Sequence, residues 1–178
     1  GRNYSDITTL YFYGTGGATG SNIYNMQGNI TANNIEIYLN NASGNTRTNV
    51  LNTNNYNITA NQLKVGNSAF TYYYGRLNAG SSIIDINGNV TIYASDINGD
   101  NIINAGTSSW TVSGNWTNND IFTASTSTVT LDGVSASTIS GNTAFNNLKS
   151  TTANKQLTFT AGTNQTINDL LTLTGASG

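Results

Sequence analysis

The segment Asp96-Ile97-Asn98-Gly99-Asp100-Asn101-Ile102 carries oxygen-bearing side chains at every second position, the spacing with which an EF-hand-like calcium loop begins. Asp96, Asn98 and Asp100 would supply ligands one, three and five, and the Ile102 carbonyl the seventh. Two positions depart from that pattern. Asn101 stands where the loop's glycine belongs, and Thr107 where a bidentate carboxylate would close the shell. A partial copy, Asp85-Ile86-Asn87-Gly88-Asn89, lies shortly upstream, so two neighbouring turns could share an ion. The plainer alternative is a pair of Asn-Gly turns. Calcium is the one cofactor the residues suggest.

A second set of residues is aromatic: Tyr11, Phe12 and Tyr13, then Phe70 with Tyr72, Tyr73 and Tyr74, then Trp110 and Trp116. Side chains alternate across a strand, so Tyr72, Tyr73 and Tyr74 cannot all be buried on one face. At least one ring is expected to face outward, with Arg76 beside it. Such a surface could stack on glycan rings or anchor a protein interface, whereas core packing is the commoner use of the same residues.

Other chemistry is excluded by composition. The chain has no His and no Cys, which removes imidazole bases, thiolate nucleophiles, disulfides and thiolate metal sites. Its eight acids (Asp6, Glu36, Asp85, Asp96, Asp100, Asp120, Asp132 and Asp169) are dispersed, and polysaccharide cleavage needs clustered carboxylates. The sequence therefore reads as that of a non-enzyme. Six basic side chains and a formal charge of −2 provide no cationic face for nucleic acid. No apolar run is long enough to span a membrane. Seven Asn-x-Ser/Thr sequons (Asn3, Asn29, Asn41, Asn57, Asn89, Asn115 and Asn164) are about as many as chance gives in so Asn- and Thr-rich a chain.

The elements that must position these residues are strands. The 178 residues include 31 Asn, 28 Thr and 19 Gly but no proline, a composition poor for helices and suited to strands joined by tight corners. Asn29-Ile30-Thr31-Ala32-Asn33 recurs unchanged as Asn57-Ile58-Thr59-Ala60-Asn61, with looser echoes at Asn89, Asn115, Asn142 and Ile167-Asn168. The spacings are about 28, 32, 26, 27 and 26 residues, the size of one solenoid coil. The expected fold is all-β: a single elongated domain over 1–178, a β-solenoid (parallel β-helix) of about six coils. Ile30, Ala32, Ile35 and Ile37 would point inward, Thr31 and Glu36 outward, and corner Asn residues would ladder from coil to coil. Asn87-Gly88 and Asn98-Gly99 between apolar alternations are hairpin signals. They leave open an antiparallel sandwich or jelly roll, or a hairpin excursion near 82–104 within the solenoid.

The run Trp110-Thr111-Val112-Ser113-Gly114-Asn115-Trp116 is followed by Ser127-Thr128-Val129-Thr130-Leu131-Asp132-Gly133, Ile139-Ser140-Gly141-Asn142, Phe145-Asn146-Asn147-Leu148 and Leu171-Thr172-Leu173-Thr174-Gly175. It resembles the Gly/Asn/Thr-rich repeats of large bacterial secreted surface proteins, whose repeats form parallel β-helices. The resemblance covers roughly residues 107–178 and implies an extracellular or cell-surface, adhesin-like or structural role. Gly1 in place of Met suggests a trimmed segment, and no capping helix is evident at either end. The expectation is a structural extracellular protein that associates with copies of itself into a filament or surface layer. The alternative is a glycan-binding adhesin module.

Overall fold

Short alternating strands separated by Asn and Gly corners wind into a parallel β-solenoid, with no helix among the described residues. The computed structural model of the chain describes residues 2–4, 8–12, 21–38, 48–69, 74–96 and 100–174. Every strand pairing among them is parallel. An antiparallel sandwich is thereby excluded.

The coils have three faces. On the first, Asn3, Thr31, Thr59, Asp85, Thr111, Thr130, Lys149 and Thr172 lie in register one above another. On the second, Tyr11, Glu36, Lys64, Thr91, Thr117 and Ser140 do the same. The third stacks Asn22–Asn25, Thr48–Asn52, Tyr74–Asn78, Ile102–Asn104 and Ile121–Thr123. Rungs stand about 4.8 Å apart, the spacing that backbone hydrogen bonds between neighbouring strands impose.

Alternation decides which side chains enter the core. Ile30, Ala32, Ile35 and Ile37 are buried, and Ile58, Ala60, Leu63 and Val65 cover them one coil later, while Thr31 and Glu36 point outward. The core then changes character along the axis. The early coils are filled by aliphatic residues. The later ones hold an aromatic cluster in which Trp116 packs edge-on against Phe122 (4.9 Å between ring centres) and lies 5.3 Å from Phe145. Trp110, buried as well, crosses Trp116 at 6.1 Å.

Asparagine side chains join the coils at their corners. Asn25, Asn52, Asn78 and Asn104 form a ladder in which each amide Nδ2 donates to the Oδ1 of the residue one coil back, at 2.8, 2.7 and 2.8 Å. A second series caps backbone donors: the Oδ1 atoms of Asn29, Asn57, Asn89, Asn115 and Asn142 accept N–H groups of Asn57, Ile83, Asn115, Thr138 and Asn164. Four of the sequon asparagines thus have a packing use. Asn54 and Asn55, with φ of 51° and 66°, occupy the left-handed region that asparagine tolerates at a turn.

Two expectations need correction. Among the described residues of 82–104 there is no hairpin excursion: Ile83–Ile86 and Val90–Ile92 are consecutive rungs on the first and second faces, each pairing in parallel with strands of the coils before and after, while Asn98-Gly99 lies outside the described residues. Asn87-Gly88 is a corner between faces. A Cβ on Gly88 would meet the Asn61 carbonyl, so the close coil-to-coil approach selects glycine there. The repeat was also misphased. Asn57 is succeeded one coil on by Ile83, 26 residues away, not by Asn89, and Asn115 by Thr138 rather than Asn142. Asn89 belongs to a different corner, between the first and second faces.

Candidate functional site

Of the residues singled out for chemistry, Tyr74, Asp96 and Asp100 belong to the corner where the second face turns into the third, whereas Trp110 and Trp116 lie in the core. In the first four coils this corner holds a long connection: Phe12 to Asn22, Ile37 to Thr48, Val65 to Tyr74 and Ile92 to Ile102. In the next coil Asn118 and Ile121 are separated by two residues. Tyr13, Phe70, Tyr72, Tyr73 and Asn98 lie in these connections but outside the described residues.

The described part of the corner rests on buried asparagines. Asn49, at an inward position ahead of Val50-Leu51, is fully buried; its amide donates to the carbonyls of Phe12 (3.0 Å) and Tyr38 (2.6 Å), and its Oδ1 accepts from Asn22 Nδ2 (2.8 Å). Asn101 repeats the device two coils on. Its Oδ1 accepts the Gly75 N–H at 2.8 Å, its Nδ2 donates to the Tyr93 carbonyl at 3.0 Å, and its own N–H donates to Asp120 Oδ2 at 2.9 Å. The Asn101 amide fills the space into which a Cβ on Gly66 (φ +84°) would project, so a glycine is required there. Both asparagines close backbone groups that would otherwise be unpaired and buried, an expensive condition. The sequence contained a signal for them: a polar residue at an inward-facing parity just before an aliphatic pair.

Tyr74 has the outward parity of Arg76 and Asn78, yet its ring is fully buried and lies outside the central core. The Tyr74 hydroxyl donates to Asp96 Oδ1. Burial and then that hydrogen bond push the phenol far above its usual pKa. The ring is therefore unavailable for stacking on a glycan. Arg76 is half-buried, and its Nε has no hydrogen-bond partner.

Of the calcium trio, Asp96 is engaged by Tyr74 and Asp100 is exposed; Asn98 lies outside the described residues. Among the described residues no three acidic side chains gather closely enough to hold an ion. Asp85, in the partial copy, accepts a hydrogen bond from Thr111 Oγ1 at 2.7 Å. Asp120, behind Asn101, is raised above the ordinary carboxylate pKa by burial, opposed by hydrogen bonds from Ser95 and the Asn101 N–H. Glu36 forms an ion pair with Lys64 at 2.8 Å across neighbouring rungs, and their hydrogen bond raises the lysine's pKa.

The ends of the solenoid differ from its middle. At the C-terminal end, Phe159, Leu171 and Leu173 stand over Ile139, Leu148 and Ser150 at inward positions, with no further rung among the described residues to cover them. At the N-terminal end a hollow of about 390 Å³ opens between Leu10, Phe12, Tyr24, Met26, Ile30 and Leu51. No family model, curated protein or solved structure matches this chain.

Proposed function

We propose that this chain is a structural, extracellular protein that associates with copies of itself, coil upon coil, into a filament or surface layer. The observation that carries this reading is the exposed C-terminal coil. Phe159, Leu171 and Leu173 are 47%, 49% and 51% exposed, whereas Ile139 and Leu148 beneath them are 0% and 1%. These side chains occupy core positions, and no rung among the described residues covers them. No strand among the described residues pairs with the outer edge of this rung, and such an edge is a template for another strand. A copy stacked head to tail keeps the strands parallel and brings the apolar N-terminal hollow against these residues, an open heterologous contact. A formal charge of −2 offers little repulsion to such stacking. A glycan-binding role through Tyr72–Tyr74 has less support, because the Tyr74 ring has no free surface.

The test is negative-stain microscopy with light scattering across a concentration series. The wild type is expected to form end-to-end assemblies, and the double substitution Leu171→Lys, Leu173→Lys to remain monomeric with an unchanged circular dichroism spectrum. A wild-type chain that stays monodisperse and monomeric at high concentration would overturn the proposal.

A further inference from the structure

The three faces place the same structural position, the central outward residue of each rung, in three different chemistries. On the first face the row contains Thr31, Thr59, Asp85, Thr111 and Thr130, and on the second Glu36, Lys64, Thr91, Thr117 and Ser140. On the third face the row reads Ile23, Val50, Arg76, Ile102 and Ile121. Ile23 is 60% and Ile121 37% exposed, so this is an aliphatic stripe facing outward. The Asn25–Asn52–Asn78–Asn104 ladder runs alongside and fixes the register of its rungs. At its centre stands Arg76, for which no hydrogen bond or ion pair occurs among the described residues; the one ion pair found there is Lys64–Glu36.

We infer that this stripe is a docking surface for an amphipathic helix, carried by a partner polypeptide, with an acidic residue in its apolar seam. The length fits: five rungs span four intervals, about 19 Å, which about 13 helical residues would cover. The spacing fits too, since rungs about 4.8 Å apart roughly match side chains that recur once per helical turn, about 5.4 Å. A guanidinium among aliphatic side chains needs a carboxylate opposite it once water is excluded. That requirement excludes a second copy of the same stripe. In a two-fold pairing of the row with itself, its third member would face its own copy, and two uncompensated Arg76 cations would meet. The helix is also not drawn from these 178 residues, whose Asn, Thr and Gly content suits strands and corners. This contact lies on the side of the solenoid and is independent of end-to-end stacking.

The probe is a hydrocarbon-stapled helical peptide of about 15 residues with leucines along one seam and a single glutamate at the seam's centre, compared with its glutamine analogue by fluorescence anisotropy. The glutamate peptide is expected to bind saturably and at least about tenfold tighter than the glutamine analogue, the scale of one desolvated charge pair. Arg76→Gln should abolish that preference. Ile23→Thr with Ile121→Thr should weaken both peptides, with thermal melts confirming that each variant is folded. Absence of saturable binding, or a glutamate preference that survives in Arg76→Gln, would overturn the inference. Neither result bears on the end-to-end assembly that microscopy tests.

Discussion

The early and late coils solve the same packing problem in different ways. Coils in the first half advance by 25 to 28 residues, as between Leu10 and Ile35 or Asn29 and Asn57, and those after Trp110 by as few as 19, as between Thr128 and Asn147. The difference is concentrated in one corner. Early coils have a long connection between the second and third faces and run straight through the corner between the first and second, in the single strands Ile30–Ile37 and Ile58–Val65. Late coils pull the former corner tight and run straight from the third face into the first, in Thr143–Ser150 and Gln165–Leu173. The fillings follow. Long connections need their buried backbone groups satisfied, and Asn49 and Asn101 do this with amides. The short coils fill their interior with Trp110, Trp116, Phe122 and Phe145. A solenoid can thus change its perimeter without losing register, provided the inward rows stay apolar and the corner polar groups stay paired.

That contrast can be broken by substitution. The largest effect is expected for Trp116→Ala, which empties the centre of the aromatic cluster and should cost about 3–5 kcal/mol. Leu63→Ala in the aliphatic half, within the range of about 2–5 kcal/mol for such truncations, should cost less than Trp116→Ala because less volume is removed. Denaturant melts of the two variants measure this, and equal losses would mean that the two halves are held alike. Asn101→Ala comes next. It strands the Gly75 N–H and the Tyr93 carbonyl, buried groups worth about 1–3 kcal/mol each, so a loss of about 2–4 kcal/mol is expected. Hydrogen exchange should show the opening confined to the corner around Gly75 and Tyr93, while the Trp116 indole stays protected; uniform exchange across the chain would contradict a local brace.

The smallest effect concerns pH at the junction between the two halves. Asp120 titrates above its ordinary value of 3.8 because burial disfavours its charge. A carboxyl raised in the folded state contributes stability that is fully present below its unfolded pKa and fades as pH rises through the folded one. Asp120→Asn keeps an acceptor for the Asn101 N–H but removes the titration. The wild type should therefore lose stability relative to Asp120→Asn as pH climbs from about 3 to 7. A constant difference across that range would show that the buried charge carries no cost.

Much of the architecture was legible before any coordinates. The inward set Ile30, Ala32, Ile35 and Ile37 and the outward Thr31 and Glu36 follow from a period of two, and the identical pentapeptides at Asn29 and Asn57 set one register correctly. The phase failed at the next coil, because Asn57-Ile58-Thr59 and Asn89-Val90-Thr91 look alike while serving different corners. Asn-Gly misled for a related reason: the left-handed or close-approach geometry that makes a hairpin also makes a solenoid corner. Of the candidate site, Tyr74 and Asp96 were named, but not their mutual hydrogen bond, since their separation of 22 residues has no local signature. Asn49 went unremarked among 31 asparagines, and Asn101 stood out only as a departure from the calcium-loop pattern.

The sequence alone determined the strand class, the side of each strand that faces inward, and the absence of imidazole and thiol chemistry, because these depend on residue type and on a local period. Which residues of different coils become neighbours was decided only in three dimensions. The register between rungs depends on how many residues each corner absorbs, and those corners carry no period from which to count. Ile23, Val50, Arg76, Ile102 and Ile121 are unremarkable along the chain; stacking alone makes them a single row.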